Sequence, residues 1–422
     1  MEKLRFLTPD AVKRIKEKFG TPIYVYDKRI LIENAESALA FPNAFGLTVR
    51  FAMKASSNAA ILKLLTKMGV HIDASSGFEV LRALNAKVPA SHISLSSQEM
   101  PDDFESIYRL GIQFNACSLA QLEKFGRLFP GEKIGIRINP GLGSGHTGKT
   151  NVGGPHSSFG IWHEWADKAL AICGKYDLTP VRLHSHIGSG SDPAVWERVA
   201  RLNIEALRKY KTATILNLGG GFKVGRMSYE KSTDLKTAGA PIKEALLKFH
   251  EETGRKMHLE IEPGTFLLAN AAAIVATIQD VVETGGKDGM KFLKLDTGMT
   301  EILRPTLYAA QHPIIVVPRK ETAETETYMV VGHCCESGDV LTTGTDNPET
   351  LMPRKLSKAS IGDLCVIEGA GAYCSSLCAK NYNSFPEAPE AMMLENGEAV
   401  LIRKRQKPEQ IWQNEVDRDI DI

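Results

Sequence analysis

An excess of charge of either sign is missing from this chain. Lys and Arg number 51 against 50 Asp and Glu, a formal net charge of +1 at pH 7. No Lys/Arg block is long enough to form a basic patch, so a nucleic-acid partner is not expected. Long hydrophobic runs are missing too: none reaches membrane-spanning length, which argues against a membrane protein. The opening residues, Met1-Glu-Lys-Leu-Arg5, are charged and lack the apolar segment of a secretory signal. Cysteine is sparse, with seven in 422 residues and no paired framework, which fits a reducing compartment. Cys334 and Cys335 are adjacent, and neighbours on a strand point to opposite faces, so they do not suggest a metal pair. There is no P-loop or dinucleotide fingerprint, no long linker and no low-complexity tract. The expectation is a cytoplasmic protein with no metal.

What is present is a repeated phrase. At 422 residues the chain exceeds one ordinary domain, so two are expected. A short helix pattern, Ala11 to Phe19 closed by Gly20, precedes a strand pattern at Thr21-Pro-Ile-Tyr-Val-Tyr-Asp27. From there to about Asn270, apolar runs end in a small or polar residue and an amphipathic segment follows. The strand ends are Val49 to Met53, Val70 to Asp73, Ile93 to Ser96, Phe114 to Ala116, Ile134 to Ile138, Leu183 to Ile187, Ile215 to Leu218 and Leu259 to Ile261. Strands alternating with helices in this way predict a parallel (β/α)8 barrel, with a doubly wound sheet as the alternative. After Asn270, Ala273 to Val282, Tyr328 to Val331 and Leu364 to Glu368 read as strands with few helices between them, and Ala323 to Thr327 reads as a surface turn. The predicted division is a barrel over 27–270 and a mainly β domain over 1–26 and 271–422.

Several residues in this frame could carry chemistry. Lys54 closes the run Leu47 to Met53 at the C-terminal end of a strand, the end of a barrel that carries the active site. A lysine partly desolvated there offers a neutral amine for a Schiff base; a surface lysine in a βα loop is the plainer explanation. Gly219-Gly220-Gly221 after a strand leaves backbone N–H groups open to a phosphate, or is only a flexible turn. His184 and His186 share a strand face and could line a pocket with Ser189, or be satisfied core histidines. Glu262, in Glu-Pro-Gly264, is costly to bury without a cationic or protonated partner. Cys335-Glu336-Ser-Gly-Asp339 and Gly371-Ala-Tyr373 could each be ordinary turns.

Taken in order, Phe-Ala-Met-Lys54-Ala, His186-Ile-Gly-Ser189, Gly219-Gly-Gly-Phe222, Glu262-Pro-Gly264, Cys335-Glu-Ser-Gly-Asp339 and Gly371-Ala-Tyr373 resemble the pyridoxal-phosphate decarboxylases of the alanine-racemase fold type. Within them the chain is similar to the diaminopimelate decarboxylases, from Thr21 to Arg405. Arg137 to Gly141, Gly145-His146, Lys149 to Asn151, Gly160 to Trp162, Arg304-Pro305 with Tyr308, and Asn381 to Asn383 carry the same likeness. The resemblance implies a Lys54 Schiff base with pyridoxal 5'-phosphate and His186 stacked on the pyridine ring. It implies phosphate held by Ser189, Gly219, Gly220, Gly221, Gly264 and Tyr373, and Glu262 paired with the ring nitrogen, so that the cofactor serves as an electron sink. It also implies substrate binding by Arg304, Tyr308 and Glu336, and a homodimer in which Cys335 and Glu336 enter the partner subunit's site, with Cys335 as proton donor.

The implied reaction is decarboxylation of meso-2,6-diaminopimelate to L-lysine and CO2, the last step of lysine biosynthesis. Other diamino acids (ornithine, lysine or a carboxylated polyamine) remain alternative substrates, and a non-catalytic cofactor-binding relative is a further alternative. Two departures bear on the substrate. Thr265 stands where the family has the arginine of Glu-Pro-Gly-Arg, and Ser157-Ser158-Phe159-Gly160 replaces Ser-Lys-Phe-Gly or Ser-Lys-His-Gly. Losing a bidentate anion ligand removes a contact worth roughly 1.5–3 kcal/mol.

Overall fold

A computed structural model describes residues 1–145, 148–190 and 192–420. His146, part of the matched text, lies outside the described residues. The chain divides into two compact units, one of Leu31–Gly225 and Tyr229–Leu268, the other of Met1–Ile30, Arg226–Ser228 and Ala269–Ile422.

The first unit is a closed parallel barrel. Its strands are β1 (Leu47–Ala52), β2 (His71–Ala74), β3 (Ile93–Leu95), β4 (Gln113–Ala116), β5 (Lys133–Asn139), β6 (Thr179–His184), β7 (Ile215–Asn217) and β8 (His258–Ile261). Each pairs with the next in parallel, and β8 pairs with β1 to close the circle. A short ninth strand, Ile161–Trp162, adds to β5. All eight overlap the predicted runs, although β6 ends at His184 rather than Ile187, which leaves His186 past the strand, and the doubly wound alternative is excluded by this closure.

The repeated phrase has a local cause. The small polar residue after a strand is often the helix N-cap: Ser76 Oγ accepts the Glu79 N–H at 3.1 Å and Ser118 Oγ accepts that of Gln121 at 3.1 Å. Such caps satisfy donors that the first helical turn leaves orphaned.

The two faces of the strands divide the polarity in an unusual way. Val49, Phe51, Ile72, Ile93, Leu95, Phe114, Ile136, Leu183, Leu216, Leu259 and Ile261 are all buried. The residues alternating with them meet one another across the barrel and are polar. Arg50 on β1 pairs with Glu260 on β8 at 2.9 Å, and Arg182 on β6 pairs with the same carboxylate at 2.9 Å. Arg50 also donates to Gln113 on β4 at 2.7 Å. Asn115 donates to Ser94 at 3.1 Å and to Ser96 at 2.8 Å. Barrel interiors are more often filled with branched aliphatic side chains. Here a charged and amide layer lies beneath the C-terminal ends of the strands, and its cost is met because the buried charges are paired.

The second unit is mainly β. Its longest strand, Ala272–Glu283, runs antiparallel to Ile23–Asp27, Leu364–Glu368 and Lys291–Leu295. Ile23–Asp27 also pairs in parallel with Glu390–Met393, so the segment before the barrel is built into the middle of a sheet formed largely from the far end of the chain. The helix Pro9–Phe19, capped by Thr8, packs Val12 and Ile15 on Val25, Val275 and Val366. One expectation is corrected: the strand Thr325–Val331 begins inside the Ala323–Thr327 segment expected to be a turn. Its Thr/Glu alternation is a strand period, and Thr325, Glu326 and Thr327 pair with Ser357, Leu356 and Lys355. Among the described residues no helix is long and apolar enough to cross a membrane.

Candidate active site

Lys54 lies just past β1, in the 3-10 turn Met53–Ala55. It is exposed, which corrects the expectation of a partly desolvated amine: the turn lifts the side chain off the strand end. Its charge is felt at His186, Asp73 and Glu79. Asp73, at the end of β2, is buried, and its Oδ1 has no hydrogen-bond partner among the described residues. Burial pushes its carboxyl up, Glu262 adds to the effect, and Lys54 and Arg137 oppose it. Arg137, on β5, places its guanidinium 5.0 Å from the Phe159 ring centroid, so the phenylalanine next to the departing Ser158 is a cation–π partner.

Glu262 has the hydrogen-bonding partners that its burial requires. His184 Nε2 donates to Glu262 Oε2 at 2.9 Å and Asn217 Nδ2 donates to Glu262 Oε1 at 2.7 Å. Burial alone would raise this carboxyl; the His184 imidazole and its hydrogen bond, His186 and Asn217 bring it well below the usual carboxylate range. His184 Nδ1 has no partner among the described residues. His186 is half-buried and is held neutral, by burial first and then by the charges of Lys54 and Arg137. Its Nδ1 accepts the Gly220 N–H at 3.3 Å.

The three glycines differ from the expected open array of N–H groups. The Gly219 N–H is taken by Asn217 Oδ1 at 2.8 Å and that of Gly220 by His186. The reason is crowding at the strand ends. Gly219 has φ 64°, and a Cβ on Gly220 would lie 2.3 Å from the Glu262 carbonyl oxygen, so only glycine fits. Trp196 Nε1 donates to the Gly220 carbonyl at 3.1 Å and its ring packs on Phe222 at 5.3 Å. Ser189 donates its N–H to the Thr150 carbonyl at 3.0 Å.

The other proposed residues lie in the second unit. Arg304 starts the short helix Arg304–Tyr308, and its guanidinium stands 6.0 Å from the Tyr308 ring. Cys335 and Glu336 are exposed. Asp339 secures their loop by accepting the N–H groups of Cys334 at 2.9 Å and Met299 at 2.7 Å. A groove of about 540 Å3 beside it is lined by Phe292, Met329, His333, Cys334, Glu336 and Leu351. Tyr373 takes a left-handed φ of 57°.

Residues 31–269 match the family model for the pyridoxal-binding domain of pyridoxal-dependent decarboxylases. The chain is 34% identical to diaminopimelate decarboxylase of Escherichia coli (strain K12) over 423 residues, covering 96% of each. It belongs to the diaminopimelate decarboxylase family. A crystal structure of diaminopimelate decarboxylase matches it with a TM-score of 0.89 at 33% identity, covering 96% of both chains. That of the Helicobacter pylori diaminopimelate decarboxylase complexed with L-lysine matches with a TM-score of 0.82 at 27% identity, over 95% of this chain and 98% of that one.

The barrel fits pyridoxal 5'-phosphate. It presents an exposed amine, a glycine turn too close-packed for any Cβ, a flat neutral imidazole and a carboxylate held ionised. Asp73, Asn217 and Trp196 were missed by motif matching, and Arg137, inside a matched segment, was given no role. Their signal was parity, since Asp73 and Asn217 are polar residues that alternate with buried apolar ones near the C-terminal ends of their strands.

Proposed function

We propose that the protein decarboxylates meso-2,6-diaminopimelate at its D-configured centre, giving L-lysine and CO2, with pyridoxal 5'-phosphate as cofactor. The observation that carries this reading is the grouping at the barrel's C-terminal end, where Lys54, His186, Glu262 and the Gly219 turn interact within one unit. Family membership and the lysine-bound Helicobacter pylori relative support the substrate.

In this reading Lys54 Nζ holds the cofactor covalently. His186 would stack on its ring, Glu262 would pair with the ring nitrogen, and Ser189, Gly219, Gly220, Gly221, Gly264 and Tyr373 would hold the phosphate. The cofactor, when bound, supplies the electron sink that accepts the pair left by departing CO2. An ionised Glu262 serves that sink by keeping a proton on the ring nitrogen. The neutral His186 gives a flat, uncharged face that does not compete for that proton.

Arg304 and Tyr308 are assigned to the distal carboxylate of the substrate, with Glu336 also in contact with it. Cys335 is assigned to deliver the proton that replaces CO2. Its exposure and the groove beside it suit work in a partner subunit's site, so we read the protein as a homodimer with shared sites. Seven free cysteines suit a cytoplasmic setting.

The test is to reduce the cofactor-loaded protein with borohydride and map the modified peptide. Cofactor mass on Lys54 supports the assignment. Cofactor mass on another lysine overturns it.

A further inference from the structure

Asn217 ends β7 with its side chain fully buried. Its Nδ2 donates to Glu260 Oε2 at 3.0 Å and to Glu262 Oε1 at 2.7 Å, while its Oδ1 accepts the Gly219 N–H at 2.8 Å. One amide therefore spends both donors on two carboxylates and its acceptor on the first residue of the glycine turn. Glu260 and Glu262 sit two apart on one strand face, which is why both reach it.

Neither carboxylate could be served by a side chain that only accepts. Glu260 is already paired with Arg50 and Arg182, at 2.9 Å each. Glu262 is fixed on its other oxygen by His184 at 2.9 Å. The backbones are tied as well: the Leu218 N–H reaches the Glu260 carbonyl at 3.0 Å and the Glu262 N–H reaches that of Gly219 at 2.8 Å. An aspartate at 217 would place a third carboxylate between two others and lose both donated bonds.

We propose that Asn217 is a positioning residue that joins the two ends of the cofactor subsite, fixing the plane of Glu262 for the ring nitrogen and the Gly219 turn for the phosphate. The proposal rests on the reading that Lys54, Glu262 and the glycine turn hold pyridoxal 5'-phosphate. It makes the charged layer below a support for the site, because Glu260, held by two arginines, anchors the amide from beneath.

The test is a cofactor titration of the purified protein, followed by absorbance, with borohydride trapping in parallel. Asn217→Asp is expected to weaken pyridoxal 5'-phosphate binding tenfold or more. Asn217→Ala, which adds no charge, should weaken binding of both pyridoxal 5'-phosphate and pyridoxal, since both ends of the subsite depend on the amide. Folding of each variant is checked by its thermal melt. Wild-type affinity in a folded Asn217→Asp or Asn217→Ala, with cofactor still trapped on Lys54, overturns the proposal and leaves the reading of the site intact. Failure of the wild type to trap cofactor on Lys54 overturns the underlying reading, and the proposal with it.

Discussion

The backbone N–H of Cys335 donates to the side-chain oxygen of Asn383 at 2.8 Å. Asn383 has φ 50°, between Asn381 at 57° and Ser384 at 60°, left-handed conformations that non-glycine residues adopt at a cost and that cluster at functional sites. The same turn holds the loop a second time, where His333 stacks on Phe385 with centroids 3.7 Å apart and planes 8° from parallel. Asn383→Ala should free the loop that carries Cys335, the proposed proton donor. Steady-state kinetics should show kcat falling roughly 10- to 100-fold, with cofactor loading unchanged. An unaltered kcat would mean that Asn383 does not position Cys335.

The proposed sharing of active sites makes a separate prediction about mixed dimers. Lys54→Ala and Cys335→Ala subunits are each expected to be inactive alone, and mixing them should restore part of the activity, because one site per mixed dimer then has both native groups. Absence of recovery, with subunit exchange shown by mass spectrometry, would count against catalysis across an interface.

Glu301 predicts a pH effect on stability. Burial pushes its carboxyl from 4.5 to about 7, against hydrogen bonds from Thr300 Oγ1 at 2.7 Å and Thr297 Oγ1 at 3.0 Å. Between those two values the folded protein keeps a proton that the unfolded chain has released, so this residue's contribution to stability falls as pH rises through the window, by on the order of 3 kcal/mol. Glu301→Gln removes that dependence. Denaturant unfolding of both proteins should show the wild type losing its advantage as pH rises from about 4.5 to 7, with the difference level above. A constant difference would place the titration elsewhere.

The barrel was legible in the sequence because apolar strand runs alternate with amphipathic helices, several opened by a polar N-cap such as Ser76 or Ser118, and those signals are local. Lys54 and Glu262 were legible as motifs. The environment of Lys54 was not, because its exposure depends on the turn at Met53–Ala55 rather than on the strand before it. The engagement of the glycine N–H groups was hidden for a different reason: Asn217 and His186 reach them through side-chain directions and the close approach of β6, β7 and β8, which no single segment encodes. The start of the strand at Thr325 was obscured by polar composition, although its two-residue period was visible.

Arg304 tests the substrate assignment. Its Nε has no hydrogen-bond partner among the described residues, which suits a guanidinium kept for a substrate carboxylate. Arg304→Ala should lower kcat/KM for diaminopimelate by a factor of ~10 or more through loss of a charge-assisted contact. The same change should matter far less for lysine, whose ε-carbon carries no carboxylate. Equal losses on both substrates would assign Arg304 to something other than the distal carboxylate.

CO2 release by the purified protein with added pyridoxal 5'-phosphate is the most direct test of the central claim. It should be measured on meso-diaminopimelate beside D-lysine and D- and L-ornithine. Turnover is predicted to be fastest on meso-diaminopimelate, with L-lysine as the product, and to be abolished in Lys54→Ala. Faster release from lysine or ornithine, or turnover that survives Lys54→Ala, would contradict the account.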